Sequence, residues 1–195
     1  MANDTAFVKG NRSNIHPHKI ALWISFGSIL MMFAGLTSAY AVRQAAGNWH
    51  EFRLPTLFFV STAVILMSSA AIHGSLYFFK KDAEMPYKVL LLLAFLLGCA
   101  FIVLQYKGWE ALAAMGVVIN GNPADSFMYV IPGIHAAHVL GGLGALTVSL
   151  VHGFSLPFKP TPRRVLRLEL TAQYWHFVDF LWVYLLLFFV LQQSS

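Results

Sequence analysis

Five side chains that can change charge lie within long apolar runs of this chain: His73, His135, His138, His176 and Asp179. Hydrocarbon cannot solvate an ionised group, so residues in such positions are the first places to look for chemistry. His135 and His138 are three residues apart, as are His176 and Asp179, a spacing that puts each pair on one face of a helix. Two of the four histidines, drawn from facing helices, could ligate a b-type haem, which would make the chain a self-contained membrane electron-transfer protein. The same imidazoles could instead hydrogen-bond across helices or to lipid headgroups. For His176 and Asp179 the choice is between a proton relay and a polar cluster that fixes helix packing, with Asp179 gripping a neighbouring helix. A carboxylate-bridged di-metal centre draws on several Asp or Glu inside a bundle, and only Asp179 lies well within a span, Glu110 falling just past one. The single cysteine, Cys99, excludes a disulfide framework and any cysteine-only cluster. There is no Gly-rich phosphate loop, nucleophile elbow or His-Glu-x-x-His helix, so no catalytic, cofactor or metal site is expected in the chain itself.

Those residues must be held by elements that cross a bilayer. The 195 residues are 58% apolar and only 11% charged, with a mean hydropathy of +0.66, which rules out an ordinary soluble domain. About 20 residues span a hydrocarbon core of about 30 Å. Five apolar runs meet that length: 20–42, 56–79, 87–105, 127–151 and 172–191. The expected fold is all-α, a bundle of five transmembrane helices forming one domain over 20–195, preceded by a polar segment over 1–19 that is not a cleaved signal. Short links predict that helices adjacent in sequence are antiparallel neighbours in space. Of the 13 basic residues, Lys9, Arg12, Lys19, Lys80, Lys81, Lys88, Lys159, Arg163, Arg164 and Arg167 fall on one side, against Arg43, Arg53 and Lys107 on the other. That asymmetry predicts a cytoplasmic N-terminus and an external C-terminus. The net charge of +5 is thereby a matter of orientation and not of nucleic-acid binding. Gly133, Ala137, Gly141 and Ala145 recur every four residues, a stripe widened by Gly142 and Gly144 that predicts a close helix contact within the bundle or with a partner subunit. Trp23, Trp49, Trp109, Tyr174 and Trp175, near span ends, read as interfacial belts, and Met31-Met32 as packing.

The last run reads Tyr174-Trp175-His176-Phe177-Val178-Asp179-Phe180-Leu181-Trp182, which resembles the C-terminal signature of cytochrome c oxidase subunit III, the third core subunit of haem-copper oxidases. Gly133-Ile134-His135-Ala136-Ala137-His138-Val139-Leu140-Gly141-Gly142 is similar to a second segment of that family, and Phe33 to Tyr40 with Arg43 to its first helix in the short, five-helix bacterial form. Leu54-Pro55, Ser68-Ser69 and Gln105 extend the likeness in register. The resemblance implies a non-catalytic subunit of a cytochrome c or quinol oxidase in the bacterial cytoplasmic membrane, in a complex that reduces oxygen to water and pumps protons. It implies haem and copper in partner subunits only, contact with subunit I and subunit II, bound phospholipid, and room for membership of a larger respiratory supercomplex. Arg43, His73, His135, His138, Trp175, His176 and Asp179 are then structural or lipid-contacting residues. Two departures stand out: Ile29 follows Ser28 where many members carry a buried glutamate, and the two additional N-terminal helices of longer members are absent.

Overall fold

The computed structural model describes residues 16–45, 54–117 and 123–193. Most of the N-terminal segment, Trp49 and Arg53 lie outside them. Among the described residues there are five helices and no strands: α1 Pro17–Ala45, α2 Thr56–Lys80, α3 Glu84–Ala114, α4 Pro123–Ser155 and α5 Pro162–Gln193. All five are long and apolar enough to cross a membrane. Apart from α2, which starts at Thr56 as its run does, they overrun the apolar runs at both ends, because a helix keeps satisfying its own backbone beyond the hydrocarbon while its polar side chains reach water. Thus α3 carries on past Gln105 to include Glu110, which pairs with Lys107 at 2.7 Å, and α4 runs to Ser155 through an internal Pro132.

Two helix ends are set by local chemistry. After α2, Asp82 adopts φ 61°, its N–H bonds Phe79 O, and the N–H of Ala83 reaches back to Phe78 O at 3.0 Å. After α3, Gly116 takes φ 84° and the N–H of Val117 bonds Leu112 O at 3.2 Å. Both are left-handed closures that satisfy the last free carbonyls of a helix. The first leaves only residues 81–83 between α2 and α3, so the two form a tight hairpin and the most extensive helix pair of the fold.

Helices α2, α3, α4 and α5 close a ring in which each touches the next and α5 returns to α2. Helix α1 sits outside that ring, on α4 and α5, and does not pack against α2. This corrects the expectation that every sequence neighbour is a spatial neighbour. The reason lies in α1 itself, which buries only Phe33, Thr37 and Tyr40, a stripe one residue wide at helical spacing. Such a stripe fills one groove, the one between α4 and α5. At the basic end, Glu169 of α5 accepts from Lys19 of α1 at 2.9 Å and from Lys80 of α2 at 2.7 Å, tying three helices together.

Candidate functional site

The polar groups of the membrane interior gather along α5. Trp175 and Trp182 are seven residues apart, two turns, so both indoles point from one face of the helix into the ring. Both are buried, and a buried indole N–H needs an acceptor. Trp175 donates to Ser68 Oγ of α2 at 3.1 Å, and that hydroxyl donates in turn to Ala94 O of α3 at 2.7 Å. Trp182 donates to Thr62 Oγ1 at 2.9 Å, whose hydroxyl donates to Phe58 O of its own helix at 2.8 Å. The Tyr184 hydroxyl lies 2.9 Å from Thr37 Oγ1 of α1, and the Tyr174 hydroxyl donates to His138 O of α4 at 3.1 Å. Gln105 adds a parallel link inside the α2–α3 hairpin, donating to Ser61 Oγ at 3.1 Å.

Trp175 was expected at an interface between membrane and water, and the structure corrects this: it is 0% exposed. Its six-membered ring fills a slot whose walls are glycines. A Cβ added at Gly98 of α3 would stand 2.8 Å from Trp175 Cη2, and one at Gly142 of α4 would stand 2.8 Å from Cε3. One side chain thus holds α2 by a hydrogen bond and lies against the backbones of α3 and α4. The stripe Gly133, Ala137, Gly141 and Ala145 does not make the tight contact within this chain. Gly133 has open space about it, Ala137 and Gly141 are exposed, and the close approach falls one residue over, at Gly142.

The histidines divide between two depths, as their sequence positions require. On one level the Ser69 Oγ of α2 bonds His176 Nδ1, and the His176 ring lies 5.8 Å from that of His73, an exposed residue on the outer surface of α2. About two turns along α5, some 9 Å at 1.5 Å per residue, His135 stacks on Trp182 with ring centroids 5.2 Å apart. Phe33 and Phe101 meet the same imidazole edge-on, and neither of its ring nitrogens has a hydrogen-bond partner among the described residues. His138 Nδ1 turns to Ile134 O of its own helix at 2.8 Å. Neither histidine therefore makes the bond across helices anticipated for it: aromatic walls surround the first, and the preceding turn satisfies the second. Asp179 is 2% exposed and faces Ser69 of α2, whose hydroxyl His176 also engages, with neither carboxyl oxygen at normal hydrogen-bond distance from a donor among the described residues; the close bonds from α5 to its neighbours are those of Trp175, Trp182 and Tyr184. Arg43 is exposed at the end of α1. No group of three or more His, Cys, Asp or Glu among the described residues is arranged to hold a metal ion.

The sequence of the family described as cytochrome c oxidase subunit III matches residues 19–193, and so takes in all of this seam. The chain belongs to that family. Similar proteins include a probable cytochrome c oxidase subunit 3 of Nocardia farcinica, 31% identical over 89% of this chain and 86% of its own length. The cytochrome c oxidase subunit 3 of Corynebacterium diphtheriae is 28% identical over 89% and 93%, and a probable quinol oxidase subunit 3 of Staphylococcus haemolyticus 24% over 95% and 94%. This subunit III is therefore a multi-pass protein of the bacterial inner membrane and a subunit of a haem-copper oxidase. Trp175, His176 and Trp182, within the run that resembles the family's C-terminal segment, lie in the seam that binds α5 to α2, α3 and α4. Sequence reasoning singled out the α5 residues and, through the widened small-residue stripe of α4, Gly142, and missed Gly98 and Thr62. The available signal was the buried indole itself, which demands small neighbours and an acceptor.

Proposed function

We propose that this subunit III has no redox centre of its own and serves as an accessory body that stabilises the oxygen-reducing, proton-pumping catalytic subunit I, with subunit II, and the phospholipids between them. The observation that carries the reading is the use made of its interior polar groups: the indoles of Trp175 and Trp182, Tyr184 and His176 are each taken up in contacts between helices. The polar segment 1–19 and the basic end of the bundle face the cytoplasm, in line with the excess of Lys and Arg there. The apolar outer surface, with Trp23 at 53%, Ile24 at 66% and Met31 at 78% exposure on α1, is covered by lipid or by the partner subunits. With Ile29 in place of a carboxylate, α1 contributes no proton carrier at that position.

The test is purification from native membranes through a tag on this chain. A complex containing a haem-copper subunit is expected, and the chain purified alone should be colourless. A stoichiometric haem absorption band in the isolated chain, lost on His135→Ala or His138→Ala, would replace this reading with electron transfer by the chain itself.

A further inference from the structure

Among the described residues of the five apolar runs, one Lys, Arg, His, Asp or Glu side chain is fully exposed on the outside of the bundle, that of His73 on α2. Its depth follows from the ion pair at the basic end, where Lys80 of α2 meets Glu169 of α5 at 2.7 Å. His73 lies seven residues before Lys80 and His176 seven after Glu169, so both imidazoles sit about 10 Å further into the membrane than that pair. Their ring centroids are 5.8 Å apart. His176 Nδ1 is taken by Ser69, whereas neither ring nitrogen of His73 has a hydrogen-bond partner among the described residues. A lysine or arginine at such a depth would reach the interface along its stem, and an imidazole has none of that length. Acyl chains offer no acceptor at that level. Ionisable groups within spans are costly against hydrocarbon and are met by protein or by water in a cavity.

The other outer faces carry no such group. Ser25 and Ser28 of α1 each donate to a carbonyl of the preceding turn, at 3.0 and 3.1 Å, and so need nothing from outside. Helices α3 and α4 turn Leu96, Val103 and Leu140 outward. We propose that the outer face of α2 around His73 is the docking surface for a membrane-spanning helix of the catalytic core, which presents a hydroxyl, amide or carboxyl group to the imidazole. The inference rests on the reading of this chain as an accessory subunit and adds the face by which it attaches. Leu66, Ala70 and Tyr77 lie within two turns of His73 on the same side of α2 and are exposed, so the partner helix meets an apolar strip around one polar contact.

The experiment places the photo-crosslinker benzoylphenylalanine at Ala70 of the full chain in native membranes, and, for comparison, at Val103 of α3 or Leu140 of α4. Irradiation should join Ala70 to a subunit of the haem-copper core, with much lower yields of that product from Val103 and Leu140. Products with lipid alone at Ala70, or equal yields from the three positions, overturn the proposal. In the intact complex His73→Leu should release this chain into detergent about three- to twentyfold more readily, the worth of one hydrogen bond between membrane helices. His73→Gln, which keeps a donor and an acceptor, should be retained as the wild type is. Wild-type retention of His73→Leu overturns the proposal, and so does an isolated His73→Leu chain that unfolds more readily than the wild type, since the imidazole would then act inside the bundle. If the tagged chain brings down no haem-copper subunit, the accessory reading itself fails. If it does so while Ala70 labels only lipid, that reading stands and the docking face alone is refuted.

Discussion

Replacing Gly142 by alanine should unseat α4 from the indole of Trp175, although a helical glycine in general is better replaced. On the helix alone, Gly→Ala stabilises by about 1 kcal/mol. At Gly142 the added methyl would lie 2.8 Å from Trp175 Cε3 and 2.9 Å from Cζ3, about an ångström inside normal carbon contact. The ring cannot retreat, because Gly98 confines its opposite edge and Ser68 holds its N–H. Overpacking of this kind costs about 1–3 kcal/mol, so the net loss is expected at up to about 2 kcal/mol. Gly133→Ala, in the same helix with open space about it, should keep the full helical gain of about 1 kcal/mol. The two substitutions thus differ in sign. The assay is thermal unfolding in detergent followed with a thiol-reactive fluorogenic dye, for which Cys99 is the only target. Adding Trp175→Leu to Gly142→Ala should remove most of the penalty specific to the alanine, a coupling measured by the double-mutant cycle. If Gly142→Ala is as stable as Gly133→Ala, or the cycle shows no coupling, the slot does not hold the indole as described.

Three further outcomes follow from the same geometry. Asp179→Leu should leave the thermal stability of the chain at or above the wild-type value, since neither carboxyl oxygen has a close hydrogen-bond partner among the described residues and the facing Ser69 hydroxyl keeps His176; a drop of about 1 kcal/mol or more would mean that the Ser69 contact is a working bond across helices. His135→Phe should raise stability in the same assay, because two unpartnered buried nitrogens are removed while the stack on Trp182 is kept, and a fall would show that the imidazole holds a bound water or side chain. Glu169→Gln should cost under about 1 kcal/mol, with the difference from wild type shrinking as salt is raised, because its partners Lys19 and Lys80 are partly solvated; a loss independent of salt would refute an ion-pair origin.

How far the fold could be read from the chain varied with distance along it. The apolar runs fixed the number and order of the helices, because crossing hydrocarbon imposes a minimum length of unbroken apolar sequence that few other structures require. Helix ends were read short, since Glu84, Glu110 and Arg163 look like loop residues by composition and are helical here. The candidate residues of α5 were legible as a rare combination of Trp, His and Asp, but their roles were not. Trp175 looked interfacial by its place near a span end and proved to be fully buried in the seam.

The sequence by itself determined that this is a five-span membrane protein of the subunit III family and which helix carries its polar signature. Only the tertiary structure decided which helix lies against which, that α1 docks on α4 and α5 instead of α2, and that the tight contact of α4 is made at Gly142 and not along the four-residue stripe. Hydrophobicity is a property of a segment and can be summed along a chain, whereas helices in hydrocarbon are sorted by close fit and by hydrogen bonds between residues far apart in sequence, such as Ser68 with Trp175. That fit depends on the rotation of each helix about its axis, which one residue changes by about 100° and which no periodicity of a uniformly apolar segment records.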